Sequence, residues 1–175
     1  LERLRFGVTT GLSVIANEPR ADVPDFATNH AKAYSQVGVR NVVCLGPGSN
    51  DWPKELVRYV GGKRVKFKAS WQEYMETTEE VIKGWHQALD DMIRVFVTPF
   101  TIVPTLPTWG RTAPEIADRL SDFDKKQLRA VHDLAAKYKT NIHSDAFGNG
   151  IELMSRFEYA LLGSNVLLQH CYDLN

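Results

Sequence analysis

The sequence predicts an α/β fold built on a parallel sheet, and three observations carry that prediction. Five short runs rich in Val, Ile, Leu and Cys alternate along the chain with stretches whose apolar residues recur at helical spacing. Three of these runs are continuously apolar, the pattern of strands buried on both faces. The third observation is local: Thr140-Asn-Ile-His-Ser-Asp-Ala146 and Asn165-Val-Leu-Leu-Gln-His-Cys171 flank the helical stretch Ile151 to Leu162, which closes at Gly163. In a parallel sheet a strand, helix, strand unit crosses over right-handed and brings both strand ends to one edge. With 175 residues, 43% hydrophobic and 24% charged, the chain has material for one domain with its own core.

The elements follow in order. Gly7 to Ala16 is the first strand, β-branched and ended by Asn17-Glu-Pro-Arg20. Asp22 or Asp25 caps a helix that carries Phe26, Ala27, His30, Ala33, Tyr34 and Val37 on one side and stops at Gly38. Val39 to Leu45 is the second strand, ended by Gly46-Pro-Gly-Ser-Asn50. A shorter helical piece is expected from Pro53 to Val60, giving way at Gly61-Gly62, and a long helix from about Ser70 to Leu89. Ile93 to Pro99 is the third strand. Phe100 to Gly110 is a proline-rich loop too long for a mere turn, the kind of segment that carries function on a compact scaffold. Ser121-Asp-Phe-Asp124 caps a helix to about Lys139, with Leu128, Val131, Leu134, Ala135 and Tyr138 inward, and the two histidine strands complete the series.

Charge narrows the partners. Twenty-one Lys and Arg balance twenty-one Asp and Glu, and no local basic stripe is evident, so neither nucleic acid nor an anionic membrane is expected as a partner. No apolar run reaches the ~18 to 20 residues that cross a bilayer, and Cys44 and Cys171 have no CxxC neighbour. A cytoplasmic protein with reduced, buried thiols is the expectation. Leu1 to Arg5 reads as the last turn of a helix begun earlier, and the chain stops soon after His170, so it is expected to be a piece of something longer.

The candidate site rests on His143 and His170, each where a strand runs out. A lone histidine in such a place is a core residue bonded to a backbone carbonyl more often than it is a ligand. Two imidazoles at the ends of neighbouring strands read as a metal-binding pair. His30, His86 and His132 fall within helical patterns and are structural, and Trp71 and Trp85 are helix-face packing residues. Asn17, Glu18 and Asp173 read as loop residues.

Several segments together resemble the amidohydrolase superfamily of metal-dependent (β/α)8 barrels, in its branch of cytosine deaminase and triazine hydrolases. Leu4-Arg-Phe-Gly-Val-Thr-Thr10 is similar to that branch's second strand, Gly38-Val-Arg-Asn-Val-Val43 to its third, and Asn141-Ile-His143 and Leu167-Leu-Gln-His-Cys171 to its fifth and sixth. The resemblance covers nearly the whole chain. It implies a partial TIM barrel spanning strands two to six, with His143 and His170 as ligands of a divalent metal, zinc before iron or manganese. Such a metal acidifies bound water to a pKa of roughly 7 and makes it a nucleophile toward a carbonyl or ring carbon. Trp109, Thr101 and Thr105, in the loop after the third strand, would then lie on the edge where barrels hold substrate.

The chain also departs from the pattern of that superfamily. It has no His-x-His and no counterpart of the eighth-strand aspartate. Ala146 stands where the branch often has a proton-shuttling glutamate, leaving Asp145 as the candidate for that task. The Ala146-Phe-Gly148 stretch is closer to relatives without the glutamate, which favours hydrolysis of amides or cyclic amides over ring deamination. A partial barrel by itself is expected to be inactive and to pair into homo-oligomers through its open sheet edges. The alternative is a non-catalytic α/β half-barrel whose histidines only pack.

Overall fold

The computed structural model describes residues 2–15, 20–48, 52–103, 120–146, 150–157 and 161–171. After a helical turn, α1 (Glu2–Arg5), come β1 (Thr10–Val14), α2 (Asp25–Val37) and β2 (Arg40–Leu45). An antiparallel pair, β3 (Lys54–Val60) and β4 (Lys63–Ala69), precedes α3 (Trp71–Trp85), the turn α4 (Ala88–Asp91) and β5 (Ile93–Val97). Then follow α5 (Asp122–Tyr138), β6 (Ile142–Ala146), α6 (Gly150–Met154) and β7 (Val166–His170). The five remaining strands form one parallel sheet in the order β1-β2-β5-β6-β7, as the alternation of elements predicts.

One face of this sheet is the helix face. Val43 and Leu45 of β2, Ile93, Val95 and Val97 of β5, and Ile142 and Ala146 of β6 share a core with Ala27 and Ala31 of α2, Val81 and Ile82 of α3, and Leu128, Val131 and Ala135 of α5. Full burial of each larger aliphatic side chain contributes about 1.5 to 3 kcal/mol, which is why the helices lie down where their apolar stripes dictate. Side chains alternate along a strand, so Val42 and Cys44, Phe96, His143 and Asp145, and Leu167 and Gln169 belong to the opposite, inner face. Burial pushes the Cys44 thiol up to about 12, and both cysteines are free.

Local signals place the helices. Ser70 and Ser121 each accept a hydrogen bond from the backbone N–H three residues on, and Glu73 and Asp124 return the bond to the cap's own N–H. Gly38 ends α2 in a left-handed conformation at φ 78°, its N–H donating to Tyr34 and Ser35 carbonyls. At Gly46 a Cβ would stand 2.5 Å from the Thr98 carbonyl oxygen, so the chain passes from β2 over the end of β5 only because the residue has no side chain.

Several expectations need correction. Neither Asp22 nor Asp25 caps α2, whose N-cap is Pro24 with no side-chain cap hydrogen bond. Residues 54–60 form a strand, not a helix, because Gly61 and Gly62, at φ 56° and 76°, make the two-residue turn that pairs them with 63–69. Leu56, Val57 and Val60 fit either period, and only the partner strand decides between them. The long helix ends at Trp85, where the extended backbone of His86 lets its Nδ1 accept from the Val95 N–H at 3.2 Å. The helix expected from Ile151 to Leu162 is described as helical over Gly150–Met154, and Gly163 lies in the bend before β7, its carbonyl accepting from Val166. Among the described residues no helix is long and apolar enough to cross a membrane.

Candidate metal centre on the inner face

The site is built by β6 and β7, paired in parallel so that His143 is level with Leu167, Asp145 with Gln169 and Ala146 with His170. His143 is 1% exposed, and its Nδ1 is buried with no hydrogen-bond partner among the described residues. Burial lowers its pKa first and foremost; the neighbouring His170 lowers it further, while Asp145 and a hydrogen bond with Gln169 oppose the shift. The imidazole is therefore held neutral, the form that ligates a metal.

Gln169 connects the group. Its amide nitrogen donates to Asp145 Oδ1, so its Oε1 is left to accept from His143, which is the direction that favours a protonated ring and leaves Nδ1 as the unpartnered nitrogen. Asp145 Oδ2 in turn lies 3.7 Å from His170 Nε2. Regular alternation would put His170 on the helix face with Ala146. The left-handed φ of 69° at His170, followed by 43° at Cys171, breaks that alternation and lets the ring approach the inner-face carboxylate. A non-glycine residue held in this region is strained, and such strain gathers at functional sites.

Of the residues singled out from the sequence, His143, Asp145 and His170 come together. Thr101 lies beside them in the chain path, bridged to Asp145, but it is buried and its Oγ1 donates to the Val103 carbonyl at 2.8 Å, so its hydroxyl is committed to the backbone. Trp109 and Thr105 lie outside the described residues. Trp71 and Trp85 pack as expected, with indole N–H groups donating to Gln127 Oε1 at 3.0 Å and Thr28 Oγ1 at 3.3 Å. His30 lies in α2, its ring 4.7 Å from that of Tyr34 and tilted 37° to it. Gln169 is the member the sequence reading missed; its signal was parity with Asp145, visible only once the register was known.

For a metal, the described residues supply a partial donor set: a buried, unpartnered imidazole nitrogen and a second imidazole from the adjacent strand. Among those residues no group of three or more His, Cys, Asp or Glu side chains converges as a metal site.

No protein-family model matches the chain, and no curated protein is similar to it in sequence. Its backbone, however, is similar to solved structures. A triazine hydrolase variant superposes with a TM-score of 0.61 at 14% identity, and a second variant of that enzyme with 0.59 at 14%. Guanine deaminase from C. acetobutylicum, solved with guanine bound in its active site, superposes with 0.55 at 12%. The fold is a partial (β/α)8 barrel. Each match covers 95% of this chain and 34% of the other, so the chain spans about a third of the proteins it is similar to. These neighbours belong to the superfamily that the sequence resembles, and at such identity the likeness concerns the fold.

Proposed function

We propose that this chain is the strand-two-to-six portion of a metal-dependent amidohydrolase that hydrolyses C–N bonds of amides or cyclic amides, with His143 and His170 as its contribution to the metal site. The observation that carries this reading is the His143 ring: neutral, buried, oriented by Gln169, and with Nδ1 left unpartnered beside a second imidazole at the carboxyl edge of the sheet. That edge is where barrels of this architecture keep their chemistry. A bound divalent ion, zinc by preference, would supply an acidified water.

The chain's own residues supply positioning and proton handling. Gln169 fixes the orientation of His143, and Asp145, which accepts from Gln169 at Oδ1, stands with Oδ2 3.7 Å from His170 Nε2 in the place of a proton carrier. Ala146 points to the helix face, in place of the glutamate that ring deamination commonly uses, which favours amide substrates. The two free thiols support a cytoplasmic setting, and the strand edges at β1 and β7 support pairing between copies.

The second reading is a half-barrel whose histidines only pack. Zinc titration against a chromophoric chelator separates the two. Weak binding by the chain that is lost in His143→Ala/His170→Ala supports the metal centre; no binding, or binding that survives the double substitution, overturns it.

A further inference from the structure

The β3–β4 hairpin carries six basic residues, Lys54, Arg58, Lys63, Arg64, Lys66 and Lys68, against the single acid Glu55, while the 21 basic and 21 acidic residues of the whole chain cancel, so the excess of positive charge here is matched by an excess of acid elsewhere. Half of it is anchored: Leu56 faces Phe67 across the pair, and both pack with Trp52 and Ala69 against the core. The other face is solvent-exposed. Arg64, Lys66 and Lys68 alternate along β4 and so form one row, with successive charges about 7 Å apart, level with Tyr59, Val57 and Glu55 of β3. Tyr59, paired directly with Arg64, is 75% exposed. Among the described residues none of Arg64, Lys66 and Lys68 has an ion-pair partner. Alternation along β4, a stretch in which the sequence predicts no element, creates this stripe.

We propose that this face of the hairpin binds single-stranded nucleic acid, with the Arg64, Lys66 and Lys68 row following the phosphates and Tyr59 offering a ring on which a base stacks. A linear set of unpaired cations beside an exposed aromatic is the pairing of features that such ligands select. An anionic membrane fits less well, because the exposed Val60 and Val65 share the opposite face with Lys63 and Arg58, so apolar side chains and the cationic row cannot meet one plane together. Charge on a free strand edge also discourages aggregation. That role needs neither the aromatic nor positive sign. The inference is independent of the metal centre, and it revises the expectation that the chain has no local basic stripe and no nucleic-acid partner.

The test is fluorescence anisotropy of a labelled oligothymidylate titrated with the full chain across a range of salt. Three phosphate contacts predict a slope of log K against log salt near −2, from about −0.7 per contact for single strands. Arg64→Glu/Lys66→Glu/Lys68→Glu abolishes binding, while Tyr59→Ala weakens it roughly 5- to 150-fold, the range of one lost base stack. Circular dichroism checks that each variant keeps its fold, as exposed positions predict. Salt-insensitive binding, no binding, or full binding by the charge-reversed variant overturns the proposal. So does attachment to phosphatidylserine vesicles without attachment to the oligonucleotide.

Discussion

Replacing His143 by leucine separates a functional histidine from a packing one through stability. The ring is 1% exposed and its Nδ1 has no partner among the described residues, an arrangement that costs the folded chain about 1 to 3 kcal/mol. Leucine fills a similar volume and removes that cost. It also removes the hydrogen bond with Gln169, worth about 1 kcal/mol, but Gln169 is only half-buried and can turn to water. His143→Leu is therefore expected to be neutral to about 2 kcal/mol more stable, while zinc binding is lost. With a urea slope of about 2 kcal/mol/M for a domain of this size, the midpoint should hold or rise by up to about 1 M. Urea unfolding followed by tryptophan fluorescence reads this directly. A midpoint that falls by about 1 M or more would mean that His143 is a satisfied core residue, and the reasoning behind the metal centre would fail. A residue whose removal stabilises the fold is retained for what it does.

Two further outcomes test the scaffold. Gly46→Ala puts a Cβ 2.5 Å from the Thr98 carbonyl oxygen, a backbone atom that cannot step aside, so a loss of about 1 to 3 kcal/mol is expected in the same unfolding assay; an unchanged midpoint contradicts the close passage of β2 over β5. His30 and His86 both have their pKa lowered below 6.5, chiefly by burial, so the unfolded chain binds their protons more readily than the folded one. Stability is complete above about pH 6.5 and falls as the pH drops from there toward the lowered folded values; a urea midpoint that stays flat from pH 8 to pH 5 would contradict this burial.

The parallel architecture was legible because its signals are local and repeated. Val42 to Leu45 and Val95 to Val97 are continuously apolar, the pattern of strands covered on both faces. The cap at Ser121 and the stop at Gly38 placed the start of α5 and the end of α2 to within a residue or so, whereas α3 ends four residues before Leu89. The segment 54–60 was misread because seven residues with apolar positions at 56, 57 and 60 satisfy both periods. The basic row lies in 63–69, a stretch in which the sequence predicts no element, and its three cations share a face because that stretch is a strand.

The candidate site was half legible. His143 and His170 announced themselves by standing at the ends of apolar runs, and the strand, helix, strand unit required those ends to share an edge. Gln169 could not be found in this way, because its meeting with Asp145 depends on which residues lie level across two strands.

What the sequence determined by itself is thus the five parallel strands and the helical stretches between them, though not the β3–β4 hairpin, since helical spacing, apolar runs and caps act over a few residues. What only the tertiary structure decided is which side chains meet. The parity of β7 would have turned His170 away from His143, and a left-handed residue at the strand end returned it to Asp145. A backbone conformation of that kind persists only when the surrounding packing imposes it, and no stretch of residues read alone contains that packing.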